Sequence, residues 1–566
     1  MTKKRMRQLG VLILVLFLAA CGGGGGGASP APAPPPPVVP PPAPPPEATR
    51  AQIIDASKFT SRATFGLPYE ELEQVALTGH DEWLDQQFAL PVGLHTPVVD
   101  FLIESRDSGA FAAFENDISY LVQFRRWAWW NCAVTCVDVV RQRVAFALSQ
   151  ILVVSDNVDA LIVYPDALSS YQDVLLQHSF GNFRDLLYDV TLHPAMGFYL
   201  SHINNSRSNP AQNTFPDENF AREVMQLFSI GLFELNIDGS LRLDGSGNPI
   251  PTYDNDDIRE FAKVFTGFSF GGANATFGGS DVIDFRSPMK MFDFAHEPGP
   301  KNLLNGFVVP EGQTGLKDVS DAIDNLFNHP NVGPFIGKQL IQRLVTSNPS
   351  PAYIQRVAEA FNGTATGVRG DMQAVVRAVL TDPEIDAPSD NFGKLREPVV
   401  RYLNILRQFN ASSESDFIAN GGYFFQGVTR QHPMSAPSVF NFYLPQHAPS
   451  GEISSEGLVA PEFQITDSST IINFTNLLDS LALGDVFAET PEPFPSVTLD
   501  FTEYDELAED LDALIDRLDI LLAGGNLSAE FRTLMSEVLV ELPEIEQRRR
   551  VALYMVLTST DYVIQR

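Results

Sequence analysis

The feature that most constrains this chain is a spacing. From residue 69 to residue 558, apolar side chains return every three or four positions in one segment after another, which predicts amphipathic helices. The pattern covers 69–77, 80–88, 116–130, 137–154 and 183–192, and it returns over 318–328, 334–346, 351–362, 371–380 and 397–409. Near the C-terminus an acidic helix carries Leu507, Leu511, Leu514, Ile515 and Leu518, Gly524-Gly525 stops it, and two further helices span 528–542 and 543–558. The fold expected is mostly α-helical: a large multi-helix body with a small β-hairpin insertion between two central helices.

That insertion lies within 214–268. Thr214 is suited to N-cap the first central helix, with Asp217 three residues on as in a capping box and Pro216 tolerated in the opening turn. Phe220, Val224, Leu227, Phe228, Gly231 and Leu235 fall on one face, and Glu218, Asn219, Arg222, Glu223 and Gln226 on the other. The second helix, 256–268, repeats Ile258, Phe261, Ala262 and Phe265 at helical spacing. Between them, Asp238-Gly239 and Asn248-Pro249 punctuate Leu241, Leu243 and Ile250, which predicts a two-stranded flap. The polar face has two readings. It is either a solvated face with i, i+4 pairs worth about 0.2–0.5 kcal/mol each, or, because Ile230, Leu232 and Phe233 make the later turns apolar nearly all round, part of a buried helix whose Arg222 and Glu223 need partners.

The run Asp217-Glu218-Asn219-Phe220-Ala221-Arg222-Glu223, followed by Leu227-Phe228 and Gly231, resembles the signature of the bacterial domain-of-unknown-function 1800 family. Arg62-Ala63-Thr64-Phe65-Gly66, His193-Pro194-Ala195-Met196-Gly197, Phe265-Thr266-Gly267, 296–301, 393–398 and Pro437-Ser438-Val439-Phe440-Asn441 agree with it in the same order. Asp217 stands where the pattern has Asn, and Glu297 where it has Asp. The resemblance implies a secreted or envelope protein with a largely helical fold, and it carries over no catalytic residue.

Ahead of the helical body stand a basic start (Lys3, Lys4, Arg5, Arg7), an apolar run over 11–20, and Leu18-Ala19-Ala20-Cys21, which resembles a lipoprotein signal cut before a lipid-modified cysteine. The run is too short to span a bilayer, which takes about 20 apolar residues. Gly22 after the cysteine points to the outer membrane of a Gram-negative cell, with cleavage to a soluble product as the alternative. Residues 22–50 read as a Gly- and Pro-rich linker that holds the body off the membrane, and 51–566 as one large domain, two lobes being the alternative.

A formal net charge of −32 argues against binding nucleic acid through net charge. With Cys21 committed to lipid, Cys132 and Cys136 remain, and an oxidising envelope favours a local disulfide between them. Gly267-Phe268-Ser269-Phe270-Gly271 has the letters of a nucleophile elbow but lacks its strand-turn-helix setting. Residues 333–338 likewise fall one residue short of a phosphate-binding loop.

Asp293, His296, Glu297 and Lys301 gather an acid, an imidazole and an amine on one Pro/Gly-constrained loop, an acid/base or ligand cluster in the functional reading. His432 precedes an aromatic-rich loop, 437–445, suited to stacking on sugar rings; with 41 Phe in the chain, core packing is the other reading. The catalytic candidates are therefore Glu218, Arg222, Glu223 and His296. The binding candidates are Asn219, Asp293, Lys301 and His432. No cofactor or metal is indicated. The function expected is a membrane-anchored, non-enzymatic component binding a surface polysaccharide or an envelope protein. The alternative is a polysaccharide hydrolase or lyase in which the polar face of the first central helix meets the His296 loop in one cleft.

Overall fold

Most helices start where the sequence supplies a cap. In the structure, a computed structural model describing residues 47–109, 118–279, 283–419, 423–484, 486 and 496–566, Thr49 and Gln52 form a capping box for Arg50–Ala63. Asp254 and Asp257 do so for Asn255–Val264. Thr314, Ser350 and Asp371 cap Gly315–Phe327, Pro351–Phe361 and Met372–Leu380. Each side chain satisfies a backbone N–H that the first helical turn leaves free. The fold is mostly α-helical, and the described strands are two-residue pairs: Phe268–Ser269 with Lys290–Met291, Lys301–Asn302 with Val308–Val309, and Lys394–Leu395 with Ile564–Gln565. The leader, Cys21 and the linker to residue 46 lie outside the described residues. Among the described residues no helix is long and apolar enough to cross a membrane.

Helices the periodicity did not mark also appear. Arg50–Ala63, Thr96–Asp107, Pro165–His178 and Ser468–Ala482 are all present. In Pro165–His178 the polar Ser169, Ser170, Gln172 and Asp173 are buried among its apolar residues and interrupt the three-to-four spacing. One main core runs from Ile53 to Tyr562, and a smaller one joins Val153, Ala436, Phe442, Tyr443 and Ile465. The first helix closes on the far end of the sequence, with Ser57 Oγ donating to the Ile520 carbonyl at 2.6 Å across 463 residues of chain.

The central unit departs from expectation at both ends of its first helix. That helix spans only Asn219–Gln226, its N-cap is Glu218 with no side-chain cap bond, and the Asp217 carboxylate accepts from the Asn219 N–H at 2.8 Å. Thr214 instead pairs with Asn209 in an isolated bridge. After Gln226 the helix runs out through a turn in which the Met225 carbonyl accepts from both Ile230 and Gly231, and the chain leaves its axis at Gly231, with φ +74°, where a Cβ would lie 2.8 Å from the Phe335 ring. Leu232 and Phe233 consequently leave the helix for the flap, exposed at 49% and 41%. The flap itself has three extended runs rather than two, bridged at Phe233/Pro251, Leu235/Leu241 and Leu243/Pro249. Its second turn is 244–248, closed by Asp244 accepting from the N–H groups of Ser246 and Asn248.

Candidate functional site

The polar face of Asn219–Gln226 and the His296 loop do not meet through their side chains. Arg222 is partly exposed and reaches Glu218 at 3.4 Å, the surface i, i+4 pair. Asn219 is exposed. Glu223 is buried; desolvation raises its carboxyl while Arg222 pulls the other way, and its Oε2 has no hydrogen-bond partner among the described residues. Burial, with Glu223 nearby, pushes the Tyr199 hydroxyl up to about 12. The expected pairing of Arg222 with Asp293 or Glu297, and of Glu223 with His296 or Lys301, is corrected. Asp293 accepts from the Gly315 N–H at 2.8 Å, at the start of the next helix. Glu297 accepts from the Ser208 N–H at 2.9 Å.

The loop after His202 bonds toward both segments: the Asn205 side-chain oxygen accepts from the Asp217 N–H at 2.9 Å just ahead of the helix, and the loop backbone bonds to the His296 side. Asn204 N–H donates to the Phe268 carbonyl at 2.7 Å, the Asn205 carbonyl accepts from Gly267, and Arg207 N–H donates to the Ala295 carbonyl at 2.8 Å. The long polar loop is thus a lacing strip.

His296 belongs to a closed cluster. Its Nδ1 donates to the Thr266 carbonyl at 2.9 Å. Its Nε2 lies 3.0 Å from Asp318 Oδ2 and 3.2 Å from Lys301 Nζ, so it donates to the acid when protonated and accepts from the amine when neutral. Lys301 also holds Asp318 directly, and Gln313 donates to the other carboxylate oxygen at 2.9 Å. Burial alone would raise the Asp318 carboxyl; hydrogen bonds from His296, Lys301 and Gln313 outweigh it and hold the group below its usual value. Gly267, with φ +90°, permits the close approach, since a Cβ there would lie 3.0 Å from His296. The cluster clasps the loop to the helix Gly315–Phe327 and leaves no room for a substrate against the imidazole.

His432 is likewise a packed residue. Trp130 Nε1 donates to its Nε2 at 3.1 Å and its Nδ1 lies 3.1 Å from the Pro433 carbonyl, which fixes a neutral ring. Cys132 and Cys136, the pair expected to be joined, stand as free thiols in this structure, and a hydrogen bond from Cys136, with burial, raises the Cys132 thiol. The Cys136 N–H bonds to the Cys132 carbonyl at 3.0 Å, extending the helix. On a helix, i and i+4 Cβ atoms stay about 5–6 Å apart, beyond the roughly 3.5–4.5 Å a disulfide takes.

A cavity of about 660 Å³ opens elsewhere, beneath the flap. Leu232, Phe233, Leu235 and Leu241 form its flap wall, and Val439, Phe440, Leu444 and Pro445 its opposite wall. Lys338, Gln339, Gln342 and Arg343, from the helix Val332–Leu344, form the floor together with Gln150. No carboxylate lines it. Lys338 is open to the cavity's solvent, yet the walls desolvate its ammonium and hold it below the ordinary lysine value. A second cavity of about 590 Å³ adjoins the first, sharing Lys338, Gln342 and Val459, and its other lining is mixed: Ser347, Asn348, Ser350, Glu384, Ser389 and Asn391 beside Pro349, Ala387 and Leu458. Rim residues Leu232, Leu241 and Phe440 are nearly half exposed, at 49%, 47% and 46%.

Beneath this floor lies buried charge. Lys394 pairs with Glu462 at 3.0 Å, and Glu397 accepts from Gln150 at 2.7 Å, Gln431 at 2.6 Å and Tyr443 at 2.8 Å. Desolvation would raise the Glu397 carboxyl, and Lys394 and Arg143 outweigh it. Arg143 and Arg343 add two further cations; Nε and NH1 of both lack hydrogen-bond partners among the described residues, as do Glu397 Oε1 and, apart from the Lys394 ion pair, the Glu462 oxygens. Three cations thus face two carboxylates. Unbalanced buried charge is costly unless something completes it.

The sequence reading missed Lys338, Gln339 and Gln342. The signal was present as a cationic and amide stripe at i, i+1 and i+4 on an otherwise apolar helix that carries no acid. Among the described residues, no group of three or more His, Cys, Asp or Glu side chains is placed to hold a metal ion. A family model described as a protein of unknown function, DUF1800, matches residues 58–564. No curated protein and no solved structure matches the chain.

Proposed function

The chain belongs to the DUF1800 family of proteins of unknown function, and from that premise we propose that it is a non-enzymatic binding component of the cell envelope, anchored through a lipidated Cys21, whose ligand site is the cavity beneath the flap. The observation that carries this reading is the cavity itself. Its volume of about 660 Å³ falls within the roughly 300–1,000 Å³ typical of small-molecule sites, and its mostly apolar wall with a few polar groups at one end matches their usual make-up. A hydrolase or lyase would need Glu218 or Glu223 to work with His296. Those side chains occupy different hydrogen-bond clusters, and His296 is enclosed by its own partners.

Expression of the full chain and of a Leu232→Trp variant, followed by mass spectrometry of the envelope components each retains, tests the reading. Leu232 stands at the exposed rim, so tryptophan fills the cavity mouth without disturbing the core. Wild type should retain a component that the variant loses, whether a free small molecule or part of a surface polymer or partner protein. Equal retention by both overturns the assignment. The anchor has its own test: Cys21→Ser should leave unprocessed precursor, and mature wild-type protein free of lipid would refute it.

A further inference from the structure

We propose that the two adjoining cavities form one site for an acidic amphiphile, its apolar chain lying between the flap and the 437–445 loop and its acidic head held at Lys338. The proposal rests on the binding reading and names the chemical class of the ligand.

Polarity divides at Lys338. On one side the walls are Leu, Phe, Val and Pro side chains from the flap and the loop; on the other, Ser347, Asn348, Ser350, Ser389 and Asn391 are interspersed with Pro349, Ala387 and Leu458. A molecule filling both is apolar at one end and meets polar groups at the other. The sign of the polar end follows from the charges present. No carboxylate lines the apolar cavity, and the one acid lining the second, Glu384, bonds to the N–H of Ser350 at 3.1 Å and to the Ser350 hydroxyl rather than to Lys338. Among the described residues Lys338 faces both cavities without an ion-pair partner.

Behind it the surplus cation among Arg143, Arg343, Lys394, Glu397 and Glu462 adds positive potential at the same end. In a chain of formal net charge −32 this is a locally cationic end of the chamber, and an ammonium with no acid beside it is a charge-assisted donor for an anionic head. The Gln339 amide, whose Nε2 has no hydrogen-bond partner among the described residues, stands beside Lys338 as a donor to orient an acid head. Gln342 already donates to the Ser347 and Pro445 carbonyls at 3.0 and 3.2 Å, so the floor is braced to both the second cavity and the loop.

Residues 47–566 form one compact unit with their own core, and this unit is suited to calorimetric titration. The probes are dodecanoate, dodecyl phosphate, dodecan-1-ol and dodecyltrimethylammonium, each below its micellar concentration. Both acids should bind, the alcohol at least tenfold more weakly, and the cationic amphiphile not measurably; the tighter acid identifies the head group as carboxylate or phosphate. Lys338→Met should cost the acids at least tenfold and leave the alcohol unchanged, Lys338→Arg should restore acid binding, and Leu232→Trp should weaken every probe. Thermal melts confirm that each variant is folded. If Lys338→Met binds dodecanoate as wild type does, or if alcohol and acid bind equally, the acidic-head proposal falls. Should Leu232→Trp still abolish binding in that case, the cavity remains the binding site; should it change nothing, the binding reading falls as well.

Discussion

The His296 cluster and the Lys338 cavity both place charge inside the molecule, but in one that charge is answered and in the other it is not. Around His296, one acid, one amine and one imidazole saturate one another at 3.0 and 3.2 Å, and glycine brings the backbone in until no space is left. At Lys338 a cation opens onto two chambers, over a layer in which two arginines keep unused donors. The sequence made the first look functional because its titratable residues are adjacent in the chain. A dense cluster of titratable groups is as good a recipe for a lock as for a catalyst. What separates the two is whether the groups complete one another.

The largest effect that would break this contrast is at Asp318. Asp318→Ala strands Lys301 in a buried site and should cost roughly 3–5 kcal/mol of stability, read by denaturant unfolding; a loss under 1 kcal/mol would mean the cluster is not a lock.

The next effect is pH. Burial lowers His193 to about 3 and His202 to about 4, so both stay neutral in the folded protein after they would have protonated in the unfolded chain. Their contribution is complete above the unfolded value near 6.5 and is lost as pH falls below it, down to the folded values. Between pH 7 and pH 5 each should cost about 2 kcal/mol, and His202→Gln should remove about half of that slope.

Lys338→Met should sharpen the contrast from the other side. It should change stability by no more than about 0.5 kcal/mol, as for a surface substitution, while weakening acid binding. In wild type, acid binding should hold steady through neutral pH and fall as pH rises through the lowered pKa of Lys338, where the cation is lost.

The smallest effect is at Arg222. Arg222→Ala should cost about 0.2–0.5 kcal/mol and add to His296→Ala within about 0.3–0.5 kcal/mol, as independent sites do; stronger coupling would restore the shared cleft that the side-chain partners argue against.

Much of the helical body was legible because capping residues and three-to-four spacing are local properties. Phe183–Leu192 has the boundaries its sequence predicts. Pro165–His178 was not legible, because Ser169, Ser170, Gln172 and Asp173 are buried among its apolar residues and interrupt the three-to-four spacing. The end of Asn219–Gln226 was misjudged because Ile230, Leu232 and Phe233 continue an apolar run, but the chain leaves the helix axis at Gly231, against the Phe335 ring. The cavity was legible in pieces. The flap and the 437–445 loop each drew notice, but no local signal says that they face one another across Val332–Leu344, which is a fact of long-range packing.

The closure of Arg50–Ala63 onto the Ile520 carbonyl across 463 residues has a consequence for biogenesis. A chain made from its N-terminus delivers this helix first and its docking partner close to last. Phe59 can pack on His80 and Trp83 as soon as they follow, but the edge with Ile54 and Ser57, which meets Gly525 and Ile520, has nothing native to cover it through most of delivery. Such exposed apolar faces invite aggregation. The protein should therefore depend on a holding chaperone for as long as its last fifty or so residues are still on their way.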